Sequence, residues 1–307
     1  MLEFLKKHPN FFGCSIFCFA MFLSVISSVF AKQTMSNYSM PAWEVICIRQ
    51  CAIVIMLLPF MIRYKFNFFN KETLKLNALR NILYSFSTFL FYTILTKMPL
   101  NEITGFQFFT PIIASIIAIF IMKENGSKMV WMSLFVCVLG AFIIKGNSSV
   151  SDSTVKSNYI YYILLALFII MRAFCTVING KLASLFDTKI IVFYTHTIMF
   201  FVSLCFCYQF IKPSIYIVLL LSFLGFIYLI EYVLIYLAHK YCTVLTLQPC
   251  EFSKMLYSII LSATILNEMP TLNQIIGSIV IIIGFCIMIA GKKHIETKKS
   301  AVLNNIR

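Results

Sequence analysis

The stretch Ser214–Ala238 reads SIYIVLLLSFLGFIYLIEYVLIYLA, and one residue in it, Glu231, is charged. A helix rises 1.5 Å per residue and the hydrocarbon core of a bilayer is about 30 Å thick, so about 20 mostly apolar residues suffice to cross it. Ser214–Ala238 exceeds that length. Its lone acid lies well inside, where an ionisable side chain costs about 2.5–3.5 kcal/mol and so points to a partner or a cavity. The stretch is therefore read as a membrane-spanning helix that carries a functional acid.

Nine further segments follow the same pattern: Phe12–Ala31, Glu44–Ile62, Leu79–Lys97, Glu102–Met122, Met129–Lys145, Tyr159–Asn179, Ile190–Phe210, Thr246–Leu266 and Asn273–Gly291. Helix is the expected state for each, because backbone groups in hydrocarbon must find their partners within the segment. Composition agrees. Of 307 residues, 61% are hydrophobic and 12% charged, against about 25% charged in soluble domains, and mean hydropathy is +0.91. The expected fold class is an all-α membrane protein with ten transmembrane helices, solvated by the lipid bilayer. Phe12–Ala31 reads as a first span rather than a cleaved signal. The third segment is the most polar. It carries Arg80, Asn81, Ser85, Ser87 and Thr88, as a cavity-lining helix would.

The formal net charge is +14. The basic residues stand mostly in short connections and tails, which excludes nucleic acid as the expected partner and points to membrane orientation instead. With a cytoplasmic N-terminus, the inside segments hold 16 Lys and Arg and the outside segments 5. The positive-inside rule then places both termini in the cytoplasm. Heavy use of Ile, Lys, Asn and Phe matches a low-GC bacterial genome, and so a bacterial inner membrane. The eleven cysteines fall almost all in apolar runs with no CxxC spacing. They read as small hydrophobes, with no metal or cofactor expected.

An internal repeat is visible. Phe120-Ile-Met-Lys-Glu124 closes the fourth segment and Gly140 follows; Ala263-Thr-Ile-Leu-Asn-Glu268 closes the ninth and Gly284 follows at the same spacing. A glycine there lets neighbouring helices approach closely. Five spans per half is odd, so the halves must enter the bilayer from opposite sides, an arrangement that holds substrate at the repeat interface in many secondary carriers. The expected division is a first five-span repeat at 1–146, a polar connection at 147–158, a second repeat at 159–291 and a basic cytoplasmic tail at 292–307.

Several of these residues together resemble a known family. The run from Leu79-Arg80-Asn81 to Phe91-Tyr92, then Pro99-Leu-Asn-Glu102, Thr110-Pro111 and Lys123-Glu124, is similar to the first repeat of ten-span EamA-domain proteins of the drug/metabolite transporter superfamily. Glu44-Val45, Arg49 and Leu58-Pro59-Phe60 resemble the second helix of that repeat. The resemblance covers nearly the whole chain. It implies a carrier with a layout similar to S-adenosylmethionine uptake carriers and amino-acid or metabolite exporters. In the ninth helix many relatives carry Pro–aromatic–Arg–Tyr–x–Glu. This chain has Pro249-Cys250-Glu251-Phe252-Ser253-Lys254, with acid and base exchanged.

The ionisable residues within spans are the candidate substrate-path groups: Arg49, Arg172, His196, Glu231, Glu251 and Lys254. Glu251 and Lys254 share a helical face and can pair. Arg172 and Glu231 each lie about 10 Å from the cytoplasmic end of their spans, and with Glu251 and Lys254 they are expected to form one cluster facing a central cavity. The bland alternative is a salt-bridge network that pins helices together. His196 reads as a gate or a helix-contact residue, Arg80 as an interfacial anchor, and Glu124 and Glu268 as solvated helix ends. Tyr84, Phe108, Trp43 and Tyr257 are aromatic candidates for the path.

The function this supports is a secondary active carrier for a small polar or zwitterionic metabolite, such as S-adenosylmethionine or an amino-acid-like compound, working by alternating access. A channel or scaffold is the alternative. A membrane-embedded enzyme is disfavoured, because no catalytic His pair, GxSxG or phosphate-cradling GxxxxGK[ST] run is present. Sequence leaves a homodimer open.

Overall fold

The structure is a computed structural model that describes residues 9–38, 40–64, 71–95, 97, 103, 106–124, 127–145, 159–205, 213–265 and 271–287. Helix meets all ten expected segments, and no strand occurs among the described residues. The helices are α1 Pro9–Asn37, α2 Ala42–Tyr64, α3 Lys71–Leu95, α4 Phe109–Met122, α5 Lys128–Lys145, α6 Tyr159–Leu185, α7 Thr188–Cys205, α8 Ile215–Tyr241, α9 Val244–Glu251, α10 Ser253–Ile265 and α11 Leu272–Ile287. Asn10–Met35, α6, α7 and α8 are long and apolar enough to cross a bilayer by themselves; α4, α5 and α11 are apolar but shorter.

The expected ninth span is broken. α9 ends at Glu251, Phe252 forms a turn, and α10 begins at Ser253. Pro249 lies in the last turn of α9. It has no N–H to give to the helical ladder and its ring clashes with the preceding turn. Glu251 and Lys254 therefore flank a break rather than sit mid-helix. An interrupted helix at membrane depth is tolerated where it lines a cavity.

Side chains sort by face. On α8, Ile215, Tyr216, Leu219, Phe223 and Phe226 point outward, while Leu221, Leu224, Tyr228, Glu231, Tyr232 and Tyr236 point inward at helical spacing. A surface this apolar requires lipid around it. On α3 the pattern reverses as the sequence suggests. Leu79, Ile82 and Phe86 face outward, and Asn77, Arg80, Asn81, Ser85, Ser87 and Thr88 are all buried.

The helix contacts come in matched pairs. α1 packs on α8 as α6 packs on α3; α2 packs on α8 as α7 packs on α3; α4 packs on α6 as α10 packs on α1; and α2 meets α7 as α4 meets α9. The α5–α11 contact is reciprocal at residue level. A Cβ on Gly140 would lie 2.8 Å from the Gly277 carbonyl oxygen, and a Cβ on Gly284 would lie 3.2 Å from the Ser133 carbonyl oxygen. The Ser133 hydroxyl donates to the Gly284 carbonyl at 2.7 Å. Between these contacts the Cys137 thiol meets the Ile281 carbonyl at 3.8 Å, 144 residues along the chain. The same step takes Ser133 to Gly277 and Gly140 to Gly284. Gly140 and Gly284 each lie directly against the facing helix's backbone. Pro111 is buried in the first turn of α4. Glu268 lies outside the described residues.

Candidate functional site

The inward face of α8 builds one wall of a central cavity of about 570 Å³, within the range of ligand-binding pockets. α1, α2, α3, α4, α6 and the α9–α10 break complete it. Four of the expected path residues, Arg172, Glu231, Glu251 and Lys254, line this cavity together, and Arg49 joins them. His196 does not line it. Of the aromatic candidates, Tyr84 and Phe108 line the cavity. Tyr257 lines an apolar groove between α1, α10 and α11, and Trp43 lines neither.

Tyrosines position the arginines. The hydroxyls of Tyr84 and Tyr228 lie 2.6 Å apart at the centre. Arg49, from α2, places its guanidinium 4.1 Å from the Tyr228 ring centroid on α8, and its Nη1 donates to the Tyr92 hydroxyl at 3.3 Å. Arg172, from α6, sits 4.5 Å from the Tyr84 ring centroid on α3. Cations on aromatic faces gain about 2 kcal/mol when water is excluded, which offsets part of the cost of burying them. Glu231 is 3% exposed, and its Oε2 has no partner among the described residues. Lys254 and Glu251 pair at 3.9 Å across the helix break.

His196 sits behind this tyrosine wall. Its Nδ1 is 2.8 Å from the Gln50 Oε1, and its ring packs edge-on against Tyr232 at 5.1 Å and Tyr228 at 5.8 Å. It is a packed helix-contact residue that backs the rings lining the cavity.

Arg80 departs from the sequence expectation. Read as an interfacial anchor, it is instead fully buried and is the hub of a four-helix network. Its Nε donates to Asn179 Oδ1 at 2.7 Å on α6, and its Nη1 donates to Asn81 Oδ1 at 2.7 Å and to Thr195 Oγ1 at 3.2 Å on α7. The Tyr236 hydroxyl on α8 donates to the same Asn179 oxygen at 3.0 Å. Glu124 is likewise more than a solvated helix end. Its two carboxylate oxygens accept from the Val244 N–H at 3.1 Å and the Leu245 N–H at 2.9 Å. A carboxylate on the first amides of a helix satisfies orphan donors and complements the helix dipole. It ties the end of α4 to the start of α9.

These two devices lie beyond the residues that line the cavity. Asn179 and Tyr236 lie toward the C-terminal ends of α6 and α8, and Glu124 follows α4 and meets the start of α9, whereas Gln33 and Asn37 line the cavity from the C-terminal end of α1 and Gln107 from just before α4. Tyr228, Tyr232 and Tyr236 stand four apart and so share one helix face; of the three, Tyr228 lines the cavity.

The EamA-like transporter family model matches this chain twice, over residues 11–146 and 159–290. The S-adenosylmethionine uptake transporter of Rickettsia prowazekii (strain Madrid E) is 26% identical over 302 residues, covering 97% of this chain and 99% of the relative. That of Rickettsia conorii (strain ATCC VR-613 / Malish 7) is 25% identical over 281 residues, covering 90% and 93%. One solved crystal structure superposes with a TM-score of 0.73 at 13% identity, covering 92% of this chain and 98% of the other, which speaks to the fold. Two family matches spanning most of a chain rich in apolar helices make it a multi-pass membrane protein, and it belongs to the EamA-like transporter family.

Proposed function

We propose that the chain is a secondary active carrier that moves a small polar or zwitterionic metabolite across the bacterial inner membrane by alternating access. The observation that carries this is a polar central cavity lined together by Arg49, Arg172, Glu231, Glu251 and Lys254. We read the Arg80 hub and the Glu124 tie, which lie beyond the lining, as the closure of one end, as a carrier at rest in one of two states requires and a channel does not. Seal residues on four helices can separate only if those helices move as bodies, as rocking halves do.

In this reading ten spans form two inverted halves, 1–146 and 159–291. The matched helix pairs and the reciprocal contacts of α5 and α11 support it, because a two-fold axis makes residue i of one body meet residue j of the other and the converse. With both termini cytoplasmic, the seal is cytoplasmic and the cavity faces outward. The relatives named above make S-adenosylmethionine and amino-acid-like compounds the substrates to test first. No phosphate-cradling motif occurs in the chain, so the energy comes from a solute or ion gradient.

The test is uptake of these solutes by proteoliposomes containing the purified chain. Saturable entry accelerated by the same solute trapped inside is expected. Entry that rises linearly with concentration would favour a channel.

A further inference from the structure

Glu231 and Arg49 are buried in the cavity wall at 3% and 2% exposure. Each keeps a polar atom with no partner among the described residues, the Glu231 Oε2 acceptor and the Arg49 Nε donor. Opposite charge lies in the same cavity, where Lys254 pairs with Glu251 rather than with Glu231. Burying an ion without a partner costs several kcal/mol. A ligand that reaches the free Arg49 Nε and the free Glu231 Oε2 would complete both.

The chemistry of the ligand follows from the two atoms. A guanidinium is a planar fork of donors that matches a carboxylate, and stacking on Tyr228 fixes the plane of the Arg49 fork. A buried carboxylate oxygen with no donor selects a cationic centre. We infer that the substrate presents a carboxylate to Arg49 and a cationic centre to Glu231, and that these two residues determine which solutes the site accepts. This rests on the carrier reading above and names its substrate class.

The charges are unequal. The cavity lining holds three cations, Arg49, Arg172 and Lys254, against two acids, Glu231 and Glu251. The carboxylate is therefore the obligatory group and the cationic centre the secondary one. A cation with no carboxylate meets a lining with one uncompensated positive charge and binds more weakly. The rest of the solute meets an aromatic wall that includes Phe91 and Phe168, whose rings lie 5.5 Å apart.

The test uses the purified full-length chain in detergent micelles and ligand-induced thermal stabilisation. The probes are L-methionine, its decarboxylated amine and its deaminated acid, with S-adenosylmethionine and its decarboxylated form as a second series. Removing the carboxylate is expected to weaken binding about 100-fold, and removing the amine about 10-fold, from the loss of charge-assisted hydrogen bonds. Arg49→Gln should erase the first difference, Glu231→Gln the second, and Arg49→Lys should restore part of the first. The analogue series on the unmodified chain stands even if a variant fails to fold. A decarboxylated probe that binds as tightly as its parent overturns the inference, and so does the failure of every carboxylate-bearing probe to bind. Saturable entry of decarboxylated probes into proteoliposomes would overturn this inference and leave the carrier reading standing. Binding of the amino acid with no saturable entry of any probe would do the reverse.

Discussion

The hydroxyls of Tyr84 and Tyr228 meet at 2.6 Å across 144 residues of chain, the same separation that joins Cys137 to Ile281. One step in sequence thus gives two contacts, one in the cavity and one between α5 and α11. If that step relates equivalent positions of two halves, both pairs lie on the axis between them. Each cavity arginine then rests on the tyrosine of the other half, Arg49 on Tyr228 and Arg172 on Tyr84. The tyrosine pair is the point about which rocking would occur.

Removing one hydroxyl strands the other. Tyr84→Phe and Tyr228→Phe should each destabilise the chain by about 1–3 kcal/mol, the cost of a buried polar group without its partner. The double variant should be no worse than either single, because no stranded hydroxyl remains. Thermal unfolding of the four proteins in detergent gives the coupling directly.

Arg80 holds α3, α6, α7 and α8 together at the sealed end. Replacing it with Gln removes most of its donors and should cost about 3–5 kcal/mol, as breaking a buried charged network does. The Cys175 thiol lies 3.7 Å from the Arg80 carbonyl and is 2% exposed. In a chain retaining only that cysteine, Arg80→Gln should raise labelling of Cys175 by a membrane-impermeant thiol reagent applied from the cytoplasmic face. Unchanged labelling would mean the hub does not seal.

Glu124→Gln keeps one acceptor and loses the charge that complements the α9 dipole. The cap should weaken by about 1 kcal/mol. Hydrogen exchange at the Val244 and Leu245 amides should then accelerate about 5-fold, with the amides of α6 unaffected.

The α5–α11 contact offers a symmetric test. Gly140→Val and Gly284→Val each force a side chain against the facing backbone, and each should destabilise by about 1–3 kcal/mol. Ser133→Gly places a glycine where the other half already has one, Gly277, and should cost about 1 kcal/mol, the value of its hydrogen bond to Gly284. A large loss for one glycine and none for the other would contradict the equivalence.

Much of this was legible in the sequence because lipid makes the rules strict. Ionisable residues inside apolar runs are costly, which is why Arg172, Glu231, Glu251 and Lys254 can be grouped from sequence; all four line the cavity. The polar face of α3 and the close-packing glycines were equally plain. Arg80 was misjudged because it stands near the edge of an apolar run, where depth depends on how far the helix extends. α3 begins at Lys71, well before the apolar run, which carries Arg80 inside. The Glu124 cap could not be read because it joins residues 120 apart in the chain. Pro249 did mark the break in the ninth span, but one proline alone does not say whether a helix kinks or stops.

Alternating access is tested most directly by following one position at each end of the cavity in the same proteoliposomes. Gln33→Cys marks the open end and Ala183→Cys, on α6 beyond Asn179, marks the sealed end. Without solute, a membrane-impermeant thiol reagent should modify position 33 from outside and leave position 183 untouched from the cytoplasmic face. A transported solute should slow the first reaction and speed the second. Both positions reacting at once in the same state, or position 183 staying closed while solute crosses, would contradict a carrier of two rocking halves.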